Sequence, residues 1–308
     1  MDFQRIILIA GVAIISYLMV LQWNQDYGTE ALAPQQVTSV SAYDTEAVST
    51  DFAVAAQPNV NADITVTQTE NASAGSLIEV KTDTLEVIID TQGGDIIQAS
   101  LAQYLAEMNH SDVLFTLLEQ NQQRTYVAQS GLVGLNGTDI KSRPIFKAAK
   151  STYELLDGEQ SLEVVLSITD ESGAVINKIY TFNRGSHLIN LTYAVDNRGN
   201  QPWSANLFGQ IKRDRSADPS ASGGMGMSAY LGPAFSFPDD KYYRYDFDDM
   251  DDANLKRTAP GGWVGMLQHY FVTAWVPNPE QQHNYSTRVS KNNYIAGFVS
   301  PALELQAG

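Results

Sequence analysis

Histidines and carboxylates are where chemistry would start in this chain. Its four histidines are His110, His187, His269 and His283. None stands two or four residues from another, and there is no His-Glu-x-x-His, so no local pair is spaced to share a metal. A histidine acid and a carboxylate base folded into one cleft could still open and close a sugar ring. His187 or His269 with Glu154 or Glu163 are the pairs to check, and nothing in their spacing recommends them. The chain has no Gly-x-Ser-x-Gly elbow, no phosphate-cradling loop and no dinucleotide fingerprint. Gly223-Gly224-Met225-Gly226 lacks the strand–turn–helix setting of a phosphate loop and reads as a mobile loop. Cysteine is absent, which excludes thiol catalysis, a disulfide framework, Cys-ligated zinc and iron–sulfur clusters. The expectation is no catalytic residue, no cofactor and no metal.

A second cluster is acidic and aromatic. Asp239 to Asp252 holds seven aspartates beside Lys241 and Arg244. A calcium loop starting at Asp246 would need Gly at its sixth position and Glu at its twelfth; the chain has Asp251 and Arg257 there. The aromatics Tyr242, Tyr243, Tyr245 and Phe247 partly alternate with the acids. Such rings either pack the segment onto the body or anchor an interface with a basic partner. Tyr242, Tyr243, Tyr245, Phe247, Asp248 and Asp249 form the candidate partner-contact region.

The whole chain has 308 residues, with 19 Lys and Arg against 35 Asp and Glu, a net charge of −16. That balance argues against nucleic acid, because phosphate binding needs clustered cations. A composition 44% hydrophobic and 10% aromatic is that of a folded protein, with length for one large domain or two ordinary ones.

Phe3 to Trp23 predicts a membrane anchor. Ile6 to Leu21 carries no charge, and its polar side chains are Ser16 and Tyr17. As a helix the stretch would span about 31 Å, against about 30 Å of hydrocarbon. The nearest small-x-small cleavage pattern, Ala31-Leu32-Ala33, lies ten residues past Leu21, so an uncleaved anchor is expected over a signal peptide. Arg5 precedes the span and no Lys or Arg occurs from Asn24 to Val80. Arg5 is therefore the topology determinant: N-terminus cytoplasmic, residues from about 24 onward exported, in a bacterium to the periplasm.

Residues 24–76 read as an acidic, polar tether without an apolar period. From 77 to 308 the pattern is mainly β. Leu85, Val87 and Ile89 alternate with Glu86, Ile88 and Asp90, then Gly93-Gly94 turns the chain. Further strand-like runs are Val113–Leu118, Thr125–Ala128, Leu162–Thr169, Ala174–Phe182, His187–Val195 and Ala205–Ile211. Tyr104–Asn109 reads as a short helix or turn, and 214–260 as a long irregular insertion. Strands follow at Trp263–Val276, Tyr285–Ser290, Tyr294–Val299 and Ala302–Gln306. Strands so spaced, without amphipathic helices between them, predict an antiparallel β-sandwich.

Four stretches carry a resemblance. Residues 261–277, GGWVGMLQHYFVTAWVP, and 83–104, DTLEVIIDTQGGDIIQASLAQY, resemble the periplasmic domain of the YidC family of bacterial membrane protein insertases. Gly232 to Phe247, with Pro238-Asp239-Asp240-Lys241-Tyr242, and the opening Met-Asp-Phe-Gln-Arg fit the same family. The resemblance implies a twisted double β-sandwich (a supersandwich, galactose-mutarotase-like) in the periplasm after the first membrane helix. It implies contact with SecF of SecDF–YajC, matched by position to 214–260, and work alone or beside SecYEG on nascent inner-membrane proteins in the lipid bilayer. Insertase activity in the family belongs to five further membrane helices and their groove arginine, a role Arg5 does not fill. The final strand, an amphipathic helix and those five helices are expected to be missing, which would leave an unpaired sheet edge and an aggregation-prone sandwich. This chain is thus expected to supply anchor and interaction domain without being an enzyme. The competing reading is a membrane-anchored carbohydrate-binding or mutarotase-like sandwich.

Overall fold

The computed structural model describes Tyr17 and residues 76–107, 110–220 and 229–308. The anchor with Arg5, the tether and the 223–226 loop otherwise lie outside the described residues. Chain contacts separate Met1–Ala47 from Val48–Gly308. Tyr17, helical and exposed, is the described residue of the first unit. No helix among the described residues is long and apolar enough to cross a membrane.

The described residues of the second unit form strands in three sheets. In chain order they are β1 (Leu77–Lys81), β2 (Leu85–Asp90), β3 (Asp95–Glu107), β4 (His110–Gln120), β5 (Thr125–Val133), β6 (Lys147–Ala148), β7 (Thr152–Glu154), β8 (Ser161–Thr169) and β9 (Val175–Asn183). Then come β10 (Ile189–Asp196), β11 (Trp203–Arg213), β12 (Gly232–Ser236), β13 (Tyr243–Arg244), the helix α1 (Phe247–Asp252), β14 (Lys256–Pro260), β15 (Trp263–Leu267), β16 (Val272–Trp275), β17 (Gln282–Ser290) and β18 (Asn293–Leu305). A ten-stranded sheet runs β14-β17-β18-β11-β5-β4-β3-β2-β1-β7. Two four-stranded sheets run β10-β9-β8-β6 and β13-β12-β15-β16.

Alternation decides which faces meet. In β2, Leu85, Val87 and Ile89 are buried while Glu86, Ile88 and Asp90 are half-buried. In β9, Ile176, Lys178, Tyr180 and Phe182 point inward in the same period. Val164, Leu166, Tyr180 and Phe182 of the first small sheet form one core with Ile96, Leu101, Tyr126 and Ile211 of the long sheet. Phe235 and Val264 of the second small sheet form another with Tyr285, Ala296 and Phe298. Ile211 and Ala296 are register partners, so both cores lie on one face of the long sheet. The two small sheets therefore cover that face side by side. The ring contacts Phe235–Tyr285 (6.2 Å) and Phe237–Tyr285 (5.4 Å) are both edge-on, the favoured quadrupole geometry.

The structure alters five expectations. Tyr104–Asn109 is not a helix or turn up to Glu107: β3 continues, because bulges shift its register with β4 and let Leu105 pair with Leu114. The 214–260 segment is not irregular throughout. It supplies β12, which lies between β13 and β15, and β14, an edge of the long sheet. Those strands are too short for an alternating pattern to stand out. The sandwich is not wholly antiparallel, since β7 returns after a long crossover to pair parallel with β1. Trp263–Val276 is two strands, β15 and β16, joined by a turn in which the Gln268 N–H donates to the Phe271 carbonyl. The Tyr294–Val299 and Ala302–Gln306 runs are one strand, β18, paired to β17 as far as Val299 and to β11 as far as Leu305.

Candidate functional site

The two small sheets leave a gap between them. Its walls are β10, the last strand of one, and β16, the last strand of the other; its floor is the long sheet. The gap is a groove of about 1130 Å³. On the floor Gly209 has no side chain, and a Cβ there would stand 2.6 Å from the Phe298 ring and 3.1 Å from the Trp275 indole. Trp275 is fixed by its Nε1–H, which donates to the Gln210 carbonyl at 3.0 Å. An aromatic bridge spans the walls at one end. Phe271, just before β16, stacks on Phe115 at 4.4 Å and meets Tyr104 edge-on at 5.6 Å. Tyr104 meets His187, just before β10, at 6.2 Å. Among the described residues no Asp, Glu, Lys or Arg lines the groove, in a chain of net charge −16.

The histidines are distributed among structural roles. His187 lines the groove and completes the bridge. His283 is fully buried: its Nε2–H donates to the Asn278 carbonyl at 2.7 Å, leaving Nδ1 to accept from Ser300 at 3.1 Å. His269 stacks on Tyr270 at 4.1 Å. His110 lies in β4. Glu154 in β7 and Glu163 in β8 are exposed, and neither lines the groove. The structure thus does not gather an acid–base pair there for sugar chemistry. Among the described residues, no group of three or more His, Asp or Glu is placed to hold a metal.

The aromatic–acidic segment is split by its own helix. Asp246 caps α1, its carboxylate accepting from the N–H groups of Asp248 (3.0 Å) and Asp249 (2.9 Å). The Asp249 carboxylate accepts from the Asp246 N–H at 3.0 Å, closing a capping box. This turns Phe247 inward, 8% exposed, against Tyr294 at 4.6 Å between ring centres. Tyr243 and Tyr245 stack at 6.2 Å and lean on the second core; the Tyr245 hydroxyl donates to the Ala253 carbonyl at 2.7 Å. Tyr242 is exposed. Asp248 accepts from Arg215 at 2.9 Å and Asp251 also pairs with Arg215. Of the six candidate contact residues, Tyr242, Asp248 and Asp249 sit at the surface and Tyr243, Tyr245 and Phe247 hold the segment down. Beside them a polar recess of about 370 Å³ is lined by Tyr230, Asp240, Tyr242, Arg244 and Asp246.

Sequence reasoning did not find a buried charge cluster around the Gly93-Gly94-Asp95 turn. Arg143 pairs with Asp95 and Asp139, and the side chains of all three are almost fully buried. Lys178 is fully buried, 4.0 Å from Asp95. Burial disfavours the Arg143 guanidinium, but Asp95 and Asp139 outweigh it and raise its pKa. Burial pushes the Asp139 carboxyl up, against Arg143. The Lys178 ammonium is pushed down to about 7 by burial, against the pull of Asp95. A signal for this cluster existed in the two adjacent glycines, which also form the hairpin turn.

Comparison with known proteins gives the following. The YidC periplasmic domain family model matches residues 77–308. A relative from Azotobacter vinelandii named "Membrane protein insertase YidC" is 44% identical over 315 residues, covering 100% of this chain and 56% of that protein. Relatives of the same name from Pseudomonas fluorescens SBW25 and Pseudomonas aeruginosa are 43% and 41% identical, again over all of this chain and 56% and 58% of theirs. This chain spans little more than half the length of those relatives. Among solved structures, a galactose mutarotase related enzyme from Lactobacillus acidophilus superimposes with a TM-score of 0.42 at 11% identity, over 72% of this chain and 85% of that one.

Proposed function

The chain belongs to the YidC periplasmic domain family, and on that premise we propose that it supplies the anchored periplasmic part of a bacterial membrane protein insertase. The observation that carries this reading is the family match over residues 77–308, behind an uncharged run from Ile6 to Leu21. Residues 1–23 anchor the chain in the inner membrane with Arg5 on the cytoplasmic side, 24–76 tether it, and 77–308 work in the periplasm. Tethering raises the effective concentration of the β domain beside the translocon. Its partners are SecDF–YajC and SecYEG, met through the surface around Tyr242, Asp248 and Asp249. The clients are inner-membrane proteins handled by the whole insertase. An acidic surface with an exposed tyrosine suits a basic partner face.

The absence of cysteine makes the topology directly testable. Ser41→Cys and Ser151→Cys, placed singly, are exposed in spheroplasts to a membrane-impermeant maleimide. Reaction at both is expected; protection of both would overturn the reading. A photo-crosslinking amino acid at Tyr242 in the same cells should capture a Sec subunit, and its failure to do so would remove the assigned contact while leaving the topology standing.

A further inference from the structure

We propose that the segment from Ile140 to Lys150 rests on an anionic phospholipid surface, through exposed isoleucines flanked by lysines. The inference rests on the reading of residues 1–23 as an anchor, and goes beyond it by naming the face that the β domain turns to the lipid.

The segment is held by residues that point inward. Asp139 and Arg143 pair with each other inside the buried charge cluster, and Ile140, Lys141 and Ser142 between them are turned out to solvent. The Gly93 N–H donates to the Pro144 carbonyl at 2.7 Å, and the Phe146 N–H to the Thr91 carbonyl at 2.9 Å. These bonds seat the chain along the turn between β2 and β3, with Ile145 bridged to Gln92. Phe146 is then buried at 3% exposure, while Ile140 and Ile145 are 54% and 47% exposed. Lys147 follows in β6, at the edge of the first small sheet, and Lys150 is exposed beyond it. A buried ion pair and backbone bonds thus fix an outward row of Ile140, Lys141, Ile145, Lys147 and Lys150.

The charge of this row is opposite to that of the chain. Gly134 to Ser151 holds four of the 19 basic residues and one of the 35 acids. That acid, Asp139, is buried against Arg143. The acids at the border are weak competitors. The Asp90 carboxylate accepts from the Gln92 N–H at 2.8 Å. Glu171 meets Lys141 at 3.7 Å with side chains 94% and 83% exposed, a contact that water weakens. An anionic surface attracts the row and repels the rest of a chain of net charge −16, which selects one orientation.

The isoleucines and the chain path decide for a bilayer. An acidic protein face would answer the lysines and leave Ile140 and Ile145 unmatched. The bilayer boundary takes both, with aliphatic side chains below the headgroups and ammonium groups among the phosphates. The polypeptide leading from the anchor also enters the domain at this place. The Ser76 N–H donates to Thr91 Oγ1 at 2.8 Å, and the Thr91 N–H to the Ser76 carbonyl at 2.9 Å. Thr91 is the residue whose carbonyl holds Phe146, so the entry point adjoins the row. Leu77, the next residue, adds an aliphatic side chain 51% exposed.

The test uses the full chain, one copy per lipid nanodisc, and exploits the absence of cysteine. A nitrobenzoxadiazole dye is attached to Ile140→Cys, to Ile145→Cys or, as the reference, to Tyr242→Cys. The discs hold equal parts of phosphatidylglycerol and phosphatidylcholine, with a doxyl-labelled lipid as quencher. Quenching should be clearly stronger at Ile140 and Ile145 than at Tyr242. Lys141→Glu, Lys147→Glu and Lys150→Glu together should reduce the docked-to-free ratio at least about tenfold, since each lysine near an anionic surface adds roughly a factor of five. Screening salt should act in the same direction, and the melting temperature of the triple variant should be unchanged. Quenching at Ile140 and Ile145 no greater than at Tyr242 would overturn the docking. Equal quenching in discs of phosphatidylcholine alone would overturn the part assigned to charge. A blue shift of the dye without quenching, seen only in discs holding two copies, would replace the membrane by a second copy of the chain. Failure of the anchor reading shows separately, as a chain that does not enter the discs.

Discussion

Arg143 and Lys178 reach the same two carbonyl oxygens from opposite faces of the long sheet. Arg143 donates to Gly93 O at 3.3 Å and Ser130 O at 3.1 Å. Lys178 donates to Gly93 O at 2.9 Å and Ser130 O at 3.1 Å. The faces are distinguished by their neighbours. A Cβ on Gly93 would meet the Arg143 guanidinium, and one on Gly94 would meet Lys178 and Leu166. The Ser130 hydroxyl bonds Tyr193 of β10, whereas a Cβ on Gly131 would meet Asp139. Asp95 and Asp139 balance the two cations. The cluster therefore ties the loop that carries Arg143, the long sheet and the first small sheet together at one point, next to the groove wall.

Removing one anion should be costly. Asp95→Asn takes from Arg143 and Lys178 one of the two buried carboxylates beside them, and breaking a buried pair this way typically costs about 3–5 kcal/mol. Adding Lys178→Met restores the balance of charge, so the double variant should be more stable than Asp95→Asn. Urea unfolding of the single and double variants measures both. A double variant no better than the single would mean Lys178 does not share the balance.

The lysine should leave a mark on stability against pH. Its folded pKa is about 7, against an ordinary value of 10.5. Between these the unfolded chain holds a proton that the folded chain has released, so stability should rise with pH from about 7 to about 10 and be flat in this respect below 7. Asp139, whose carboxyl burial pushes up, contributes in the opposite sense over its own range. Subtracting the profile of Lys178→Met isolates the lysine. A flat difference between pH 7 and 10 would contradict the assignment.

The two glycines of the turn should not be equivalent. Both have left-handed backbones, φ 79° at Gly93 and 62° at Gly94, costing a replacement about 1–2 kcal/mol. At Gly94 a methyl meets the flexible Lys178 side chain at 3.0 Å; at Gly93 it meets a guanidinium held between two carboxylates. Gly93→Ala should lower the melting temperature more than Gly94→Ala. Gly173→Ala, left-handed but with nothing within 4 Å, should show the backbone cost alone.

The aromatic–acidic segment should divide into residues that can be changed freely and residues that cannot. Tyr242→Ala, at an exposed position, should alter stability by no more than about 0.5 kcal/mol. Asp246→Ala removes the cap of α1 and should cost about 1 kcal/mol. Phe247→Ala, at a buried position, should cost about 3 kcal/mol or more. Thermal melts rank the three; a loss of partner capture in Tyr242→Ala at unchanged melting temperature reports on contact and not on folding.

Much of the strand pattern was legible because alternation is written residue by residue. Leu85-Val87-Ile89 and the Leu162–Thr169 run lie within strands the structure forms, and the Gly93-Gly94 turn stands where the hairpin needs left-handed backbone. Family membership was legible as well, in the 261–277 run that builds β15, β16 and Phe271 of the aromatic bridge. Short strands were not legible: β12 and β14, five residues each, carry Gly, Pro and Lys and have no period to read. Nor could the chain alone say that Phe247 faces inward, since the capping box of Asp246 sets that direction.

What only the tertiary structure decided is what stands beside what. Gly93 and Lys178 are 85 residues apart, and Asp95 and Arg143 are 48 apart. A sequence pattern reports which side of its own strand a residue faces, because that depends on a backbone period of two. It does not report which strands share a sheet, or that two small sheets stop short of each other over one face of a larger one. The groove is that unfilled interval, set by where β10 and β16 end their sheets, and its uncharged lining is drawn from segments that meet only in the fold.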